Sequence, residues 1–355
     1  MPGGGEVREI EGQHRPGQAC AEAKGERTEQ HGPQRSIHRR EGYRTCGPAR
    51  IIPVRRGALG VSGAAPRRRA PVSHVAIVTD SASDIAPARA AELGISVVPL
   101  VVNFGLETFK AGIELSTDEF WRRMTAPSAP FPTTAASAPG DFKAAYDAAF
   151  AAGAEAIVSV HVASTLSGTI KSAEIAKGML PDREILIVDS MGASMGEGLL
   201  AELAAGMARL GVGAAEIARV CEERRTDVAT IVALDTLEYL KRGGRISGAQ
   251  AAIGTLLSVK PIIEVKEGKV ETVDRVRTRG KARERLIELV CTRSIERLSI
   301  LHTTNAEVEA FREQLLPRVP GGIDPVNVTI DLVGPSVGPH LGPGCVGAVA
   351  LYRHD

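Results

Sequence analysis

From His74 onward, short apolar runs alternate with amphipathic stretches, and that rhythm predicts a chain switching repeatedly between strand and helix. Val75-Ala76-Ile77-Val78-Thr79 is an unbroken apolar run ending in Asp80-Ser81-Ala82-Ser83-Asp84, a strand feeding a polar turn. Ile95–Val102 reads as a second strand. Ser116-Thr117-Asp118-Glu119 before Phe120-Trp121 has the form of a capping box, in which serine and glutamate satisfy free N–H groups at a helix start. An alanine-rich helix is predicted over 141–152, a buried strand over 156–162 and a helix over 167–178. A strand over 185–188 ends in Asp189-Ser190; helices at about 195–210 and 214–225 and a strand at 229–234 follow. Apolar runs separated by helices predict a parallel sheet covered on both faces.

After Leu234 the pattern becomes mixed. Pro261–Val265, the turn Lys266-Glu267-Gly268-Lys269 and Val270–Val276 read as a hairpin, followed by a charged helix (281–289), a strand (298–302), a helix (306–316) and two final strands. The predicted architecture is two-lobed α/β: a parallel-sheet N-terminal lobe at 74–235 and a smaller mixed α/β C-terminal lobe at 236–355. A cleft between two such lobes is a natural ligand site. Residues 1–73 are rich in Gly, Pro and Arg, show no period and read as a disordered basic extension.

Charge sharpens the picture only locally. The 355 residues carry a net +1, which gives the whole molecule no bias toward nucleic acid or membranes. Residues 1–70 hold 14 Lys/Arg against 7 Asp/Glu, and the interleaved acids weaken a nucleic-acid-binding tail or a transit peptide. Aromatics at 3% argue against base-stacking platforms. No apolar run approaches the roughly 18 residues of a spanning helix, so at most transient membrane contact is expected. Five scattered cysteines form no metal-ligand spacing; a cytoplasmic protein with reduced thiols and no metal or cofactor is the simplest expectation.

In open α/β sheets, ligands sit beyond the carboxyl ends of the strands. Four polar segments are predicted there: Asp80-Ser81, Phe131-Pro132-Thr133-Thr134, the Ser164–Thr169 loop, and His302-Thr303-Thr304-Asn305. Ser167-Gly168-Thr169 opens a helix whose free N–H groups favour an anion, though a capping serine explains Ser167 equally well. His302 ends an apolar strand, where a structural histidine is the commoner case. Ser167 with His302 raises a serine hydrolase or acyltransferase as an alternative, without a G-x-S-x-G elbow or an acidic partner. Gly342-Pro343-Gly344 lacks the ending of a triphosphate-binding loop, so no ATP site is read. The stretch Leu240-Lys241-Arg242-Gly243-Gly244-Arg245-Ile246-Ser247-Gly248 leads into an Ala/Gly/Leu helix and then Lys260-Pro261-Ile262-Ile263; Arg245 on such a turn suits a carboxylate or phosphate.

In order along the chain stand Val78-Thr79-Asp80-Ser81 with Asp84, Pro132-Thr133-Thr134, Leu166-Ser167-Gly168-Thr169, and Val188-Asp189-Ser190 with Gly196-Glu197-Gly198-Leu199. They continue in Leu240–Ser247, Lys260-Pro261-Ile262, Val276-Arg277-Thr278, and His340 with Gly342-Pro343-Gly344. In this series residues 75–352 resemble the DegV family of bacterial fatty-acid-binding proteins. The resemblance implies a non-enzymatic carrier that encloses one long-chain fatty acid in a tunnel between its lobes. It implies further that the carrier presents the carboxylate to a separate ATP-dependent fatty acid kinase, feeding phospholipid metabolism. By motif position the carboxylate contacts fall on Thr134 and Ser167, with His302 in support, and Arg245 at the tunnel mouth contacts the headgroup or the partner. Two places depart from the family pattern: Ala135-Ala136-Ser137-Ala138 replaces its usual Ser-Gln-Pro-Ser, and Thr303-Thr304 its Ala-Asp.

The energetics suit such a ligand. Burying about fourteen methylenes at about 0.8 kcal/mol each gives roughly 11 kcal/mol gross, reduced by several kcal/mol of association and ordering cost. The carboxylate must be hydrogen-bonded, or its desolvation outweighs the tail.

Overall fold

The computed structural model describes residues 74–246, 259–304 and 307–354. The extension predicted over 1–73 and the Ala/Gly/Leu helix after Ser247-Gly248 lie outside the described residues.

β1 (Val75–Asp80) turns through a short 3-10 segment, capped by Asp80 accepting the Ala82 N–H at 2.9 Å, into α1 (Pro87–Leu93). β2 (Ile95–Val98), β6 (Ala156–His161) and β7 (Glu184–Asp189) complete a parallel sheet in the order β2-β1-β6-β7. Every residue of β6 is buried, as a strand covered on both faces requires. α3 (Pro139–Ala151) and α4 (Thr169–Gly178) cover one face; α5 (Met195–Arg209) and α6 (Ala214–Arg224) cover the other.

The single strand predicted over 95–102 is broken at Pro99. A proline cannot donate to a strand ladder, and its carbonyl accepts the Ser137 hydroxyl at 2.6 Å instead. Beyond it β3 (Val101–Phe104) leaves the parallel sheet for a small antiparallel one with β4 (Glu107–Lys110) and β5 (Thr133–Ala135), which the apolar pattern does not reveal. Half of the predicted capping box forms: the Ser116 hydroxyl accepts the Glu119 N–H at 3.2 Å at the start of α2 (Thr117–Met124), while the Glu119 carboxylate turns to Arg122 and Arg123. The indole N–H of Trp121 then ties α2 to the Val333 carbonyl at 2.8 Å.

A second, six-stranded sheet has the order β10-β9-β8-β13-β11-β12. Its strands are β8 (Val228–Ala233), β9 (Lys260–Lys266), β10 (Lys269–Val276), β11 (Ile295–His302), β12 (Val328–Leu332) and β13 (Val346–Tyr352). Only β11 and β12 pair in parallel; the predicted hairpin is β9–β10. The second lobe therefore begins one strand earlier than the expected boundary at 235. Alternation explains why: Ala229, Ile231 and Ala233 of β8 pack with α8 (Arg279–Val290) and Phe311 of α9 (Val308–Leu315), while Val232 faces the core shared with the first sheet.

α5 lies between the two sheets, with ten of its fifteen residues buried. Its glycines set the approach: a Cβ on Gly196 would lie 2.5 Å from Thr230 Oγ1, and one on Gly198 2.7 Å from the Ser83 carbonyl. Buried Glu202 of the same helix accepts Arg89 of α1 at 3.2 Å and also binds Arg297 of β11, so its charge is paired from both lobes.

Candidate functional site

Between the carboxyl ends of the parallel strands and the inner face of the second sheet lies about 850 Å³ of atom-free space, part of it open to solvent. Val232, Ile263, Val265, Val270 and Leu301 wall it from β8 to β11; Leu100, Leu166, Leu240, Val337 and Leu341 close over them. The predominance of aliphatic side chains suits a flexible apolar ligand.

Polar groups converge where Thr134, Ser167, Arg245 and His340 meet the cavity. Thr134 is the middle residue of the three-residue β5, paired with Val102 of β3, and is less exposed than its neighbours Thr133 and Ala135. Its Oγ1 lies 3.0 Å from His340 Nε2. His340 sits on the one-turn helix α10 (Gly338–Leu341). Burial, and then the positive Arg245, push this imidazole down to about 4, so at neutral pH it is uncharged. Its Nδ1 has no hydrogen-bond partner among the described residues and abuts Gly243, where an added Cβ would fall 2.1 Å away.

Ser167, expected to open the helix, stands two residues before it. α4 begins at Thr169 with Gly168 as its cap, and Ser167 Oγ pairs with Thr169 Oγ1 at 2.8 Å. The Ser167 segment approaches the residue that follows β5: a methyl on Gly168 would sit 3.8 Å from that of Ala136. Arg245 follows α7 (Glu238–Arg242), and its guanidinium donates to the carbonyls of Leu166 (3.2 Å) and Gly243 (2.6 Å). Arg245 borders both the cavity and an adjoining open groove lined by Ser164 and Thr165, which is a position at the mouth.

His302 is the correction. Leu301 lines the cavity, and side chains alternate across β11, so His302 faces away with Ile300 toward the other core. The Ser167–His302 pair required by the hydrolase alternative is therefore not assembled. His340, which sequence reasoning quoted only as a marker beside Gly342-Pro343-Gly344, holds the place beside Thr134 instead. The available signal was that glycine cluster, which marks close backbone approach: a Cβ on Gly342 would lie 2.2 Å from the Tyr239 ring.

A second polar cluster is wholly interior. Asp80, His161 and Glu197 are buried with their ligand atoms within 4.8 Å of one another, as a metal site would have them. Each is already engaged: His161 bonds Asp80 (3.0 Å) through Nδ1 and Ser159 (2.7 Å) through Nε2, and Glu197 accepts Thr79 Oγ1 at 2.7 Å. Burial, and then the Asp80 charge, hold the Glu197 carboxyl well above the usual range. Both ring nitrogens of His161 are engaged in the hydrogen bonds that join β1 and β6, so a cation would have to displace the His161–Asp80 bond.

With this geometry in place, comparison with known proteins gives consistent results. A family model described as an uncharacterised protein of the DegV family matches residues 74–353. A DegV domain-containing protein of Streptomyces coelicolor is 36% identical over 286 residues, covering 79% of this chain and 99% of its own length. The solved structure of a fatty-acid-binding DegV family protein from Thermus thermophilus is similar with a TM-score of 0.72 and 33% identity, covering 79% of this chain and 100% of that one. DegV of Bacillus subtilis, described as a fatty acid binding protein, is similar with a TM-score of 0.70 and 30% identity over 79% of this chain and 100% of its own.

Proposed function

The chain belongs to the DegV family, and we propose that it is a non-catalytic carrier holding one long-chain fatty acid in the interlobe cavity. The observation that carries this reading is the Thr134–His340 pair facing a chamber walled mainly by aliphatic side chains. With hydrogen on Nε2 the uncharged imidazole donates to Thr134 Oγ1, which leaves the hydroxyls of Thr134 and Ser167 as two donors toward the cavity. These two neutral donors hydrogen-bond a carboxylate without the tight ion pair that would bury its oxygens in a bidentate fork. The aliphatic wall then supplies the gross affinity, and the donors prevent the desolvation cost from cancelling it.

A carboxylate held in this way, with Arg245 beside it at the mouth, leaves an oxygen reachable from outside. We assign its acceptor as a separate ATP-dependent fatty acid kinase, with Arg245 as the contact for that partner or for the incoming phosphoryl charge. The test is equilibrium titration of the full-length, lipid-stripped protein with hexadecanoic acid, read by displacement of a fluorescent fatty acid. Saturable binding with one site per chain is expected. Absence of saturable binding would overturn the reading.

A further inference from the structure

Asp84 closes the polar turn after β1 outside the lining of the aliphatic cavity, yet its carboxylate holds two of that cavity's walls. One oxygen accepts the Ser194 hydroxyl at 2.6 Å, and the other accepts the Gly334 N–H at 2.8 Å. Ser194 lines the cavity from the start of α5. Gly334 opens the segment that carries Ser336, Val337, His340 and Leu341, all of which line it too.

Gly334 is the foot of the turn on which His340 stands. Its carbonyl accepts the N–H of Gly338 at 2.8 Å and that of Val337 at 3.3 Å, and the His340 N–H donates to the Val337 carbonyl at 2.9 Å. The four residues of α10 are too few to hold a helix by themselves, so the turn takes its place from whatever anchors its foot. Trp121 on the Val333 carbonyl, Asp84 on Gly334, and the Ser81 hydroxyl 2.7 Å from that of Ser336 tie this foot to the first lobe. Asp84 grips the residue from whose carbonyl the turn hangs. Its second partner carries backbone strain: Ser194, at φ 55° and ψ −145°, lies at the edge of a region almost confined to glycine. The Ser194 hydroxyl makes no cap for α5 and goes to Asp84 instead. Strain of this kind persists only where the surroundings over-determine it.

We propose that Asp84 is a positioning residue for the headgroup site. It sets α10 so that the His340 Nε2–H meets Thr134 Oγ1, which leaves the Thr134 hydroxyl proton for the ligand carboxylate. The assignment rests on the fatty-acid reading of that site.

The test compares two variants of the full-length, lipid-stripped protein. Asp84→Gly removes the carboxylate while keeping the left-handed φ of 54°. Asp84→Asn keeps an oxygen for the Gly334 N–H and offers an amide N–H to Ser194 Oγ. Affinity for hexadecanoic acid is read by displacement of a fluorescent fatty acid. The His340 ring is read in a long-range proton–nitrogen correlation spectrum, its signals assigned by their loss in His340→Ala. Asp84→Gly is expected to weaken hexadecanoate about tenfold, the loss of one hydrogen bond to a charged group, and to move the ring nitrogens from the Nε2–H tautomer toward averaged values. Asp84→Asn is expected to keep the tautomer and to bind within about threefold of wild type, since both contacts can be remade. Should Asp84→Gly not fold, Gly334→Ala carries the same comparison, because its methyl would stand 2.9 Å from Asp84 Oδ1 and force the two apart. Wild-type affinity or an unmoved His340 signature in the variant that lacks the contact overturns the positioning role and leaves the fatty-acid reading standing. A loss in Asp84→Asn equal to that in Asp84→Gly does the same. Failure of the wild type to bind hexadecanoate rejects the fatty-acid reading itself, and this inference with it.

Discussion

Gly243→Ala isolates the packing that holds the headgroup histidine. The new methyl would stand 2.1 Å from His340 Nδ1 and 2.8 Å from Cε1, where ordinary contact begins at 3.4 Å. The imidazole must retreat by about 1.3 Å to restore van der Waals contact. On its far side Nε2 already lies 3.0 Å from Thr134, so the retreat spoils that hydrogen bond. Overpacking of this kind costs about 1–3 kcal/mol. The backbone is no obstacle, because Gly243 has φ −74° and ψ −9°, which alanine adopts freely. Without the ring, the same substitution should be neutral or stabilise by about 0.4–1 kcal/mol through the unfolded chain. Urea denaturation of wild type, Gly243→Ala, His340→Ala and the double variant forms a closed cycle with an expected coupling of about 1–3 kcal/mol. An equal cost of Gly243→Ala in both backgrounds would refute the geometry drawn around His340.

Thr134→Val and Ser167→Ala should each weaken hexadecanoate binding at least tenfold, about 1.5–3 kcal/mol for a hydrogen bond to a charged group, with thermal midpoints little changed; undiminished binding in both would discard the headgroup assignment. Arg245→Ala should keep its lipid while transfer to an ATP-dependent fatty acid kinase declines, and unaltered kinase turnover would reject that role. Labelling of Ser167 by a serine-directed fluorophosphonate would count against a carrier, since that hydroxyl bonds Thr169 and no histidine among the described residues is hydrogen-bonded to it. Asp84 gives a pH prediction: burial raises its carboxyl from 3.8 to about 7 against hydrogen bonds from Ser194 and Gly334. Between those values the folded chain binds the proton more tightly than the unfolded one, so stability falls as pH rises through the window, by at most about 4 kcal/mol. Asp84→Asn, which tolerates the left-handed φ of 54° there, should flatten that decline; a wild-type slope between pH 4 and 8 in urea midpoints would contradict it.

The alternation of strand and helix was legible because β1 and β6 are unbroken apolar runs, and α2 because Ser116 and Glu119 stand at capping-box spacing. What escaped did so for local reasons. β5 is three residues of Thr-Thr-Ala with no apolar signal, so Thr134 reads as loop until β3 is seen to pair with it. β8 is apolar on both faces and fits either sheet; only its register with β9 and β13 assigns it. The histidines failed by phase. Leu298 through Leu301 are all buried, so the sequence of β11 does not say which parity faces the ligand, and His302 fell on the wrong side. His340 lies on a single helical turn after a proline, too short for a period to show.

Mass spectrometry of the full-length protein as purified, under native conditions and again after solvent extraction, tests the central claim most directly. The account predicts a species heavier than the chain by one fatty acid, with that acid recovered in the extract and lost from the native spectrum of Thr134→Val. A spectrum showing the chain mass alone, with no fatty acid in the extract, would contradict it.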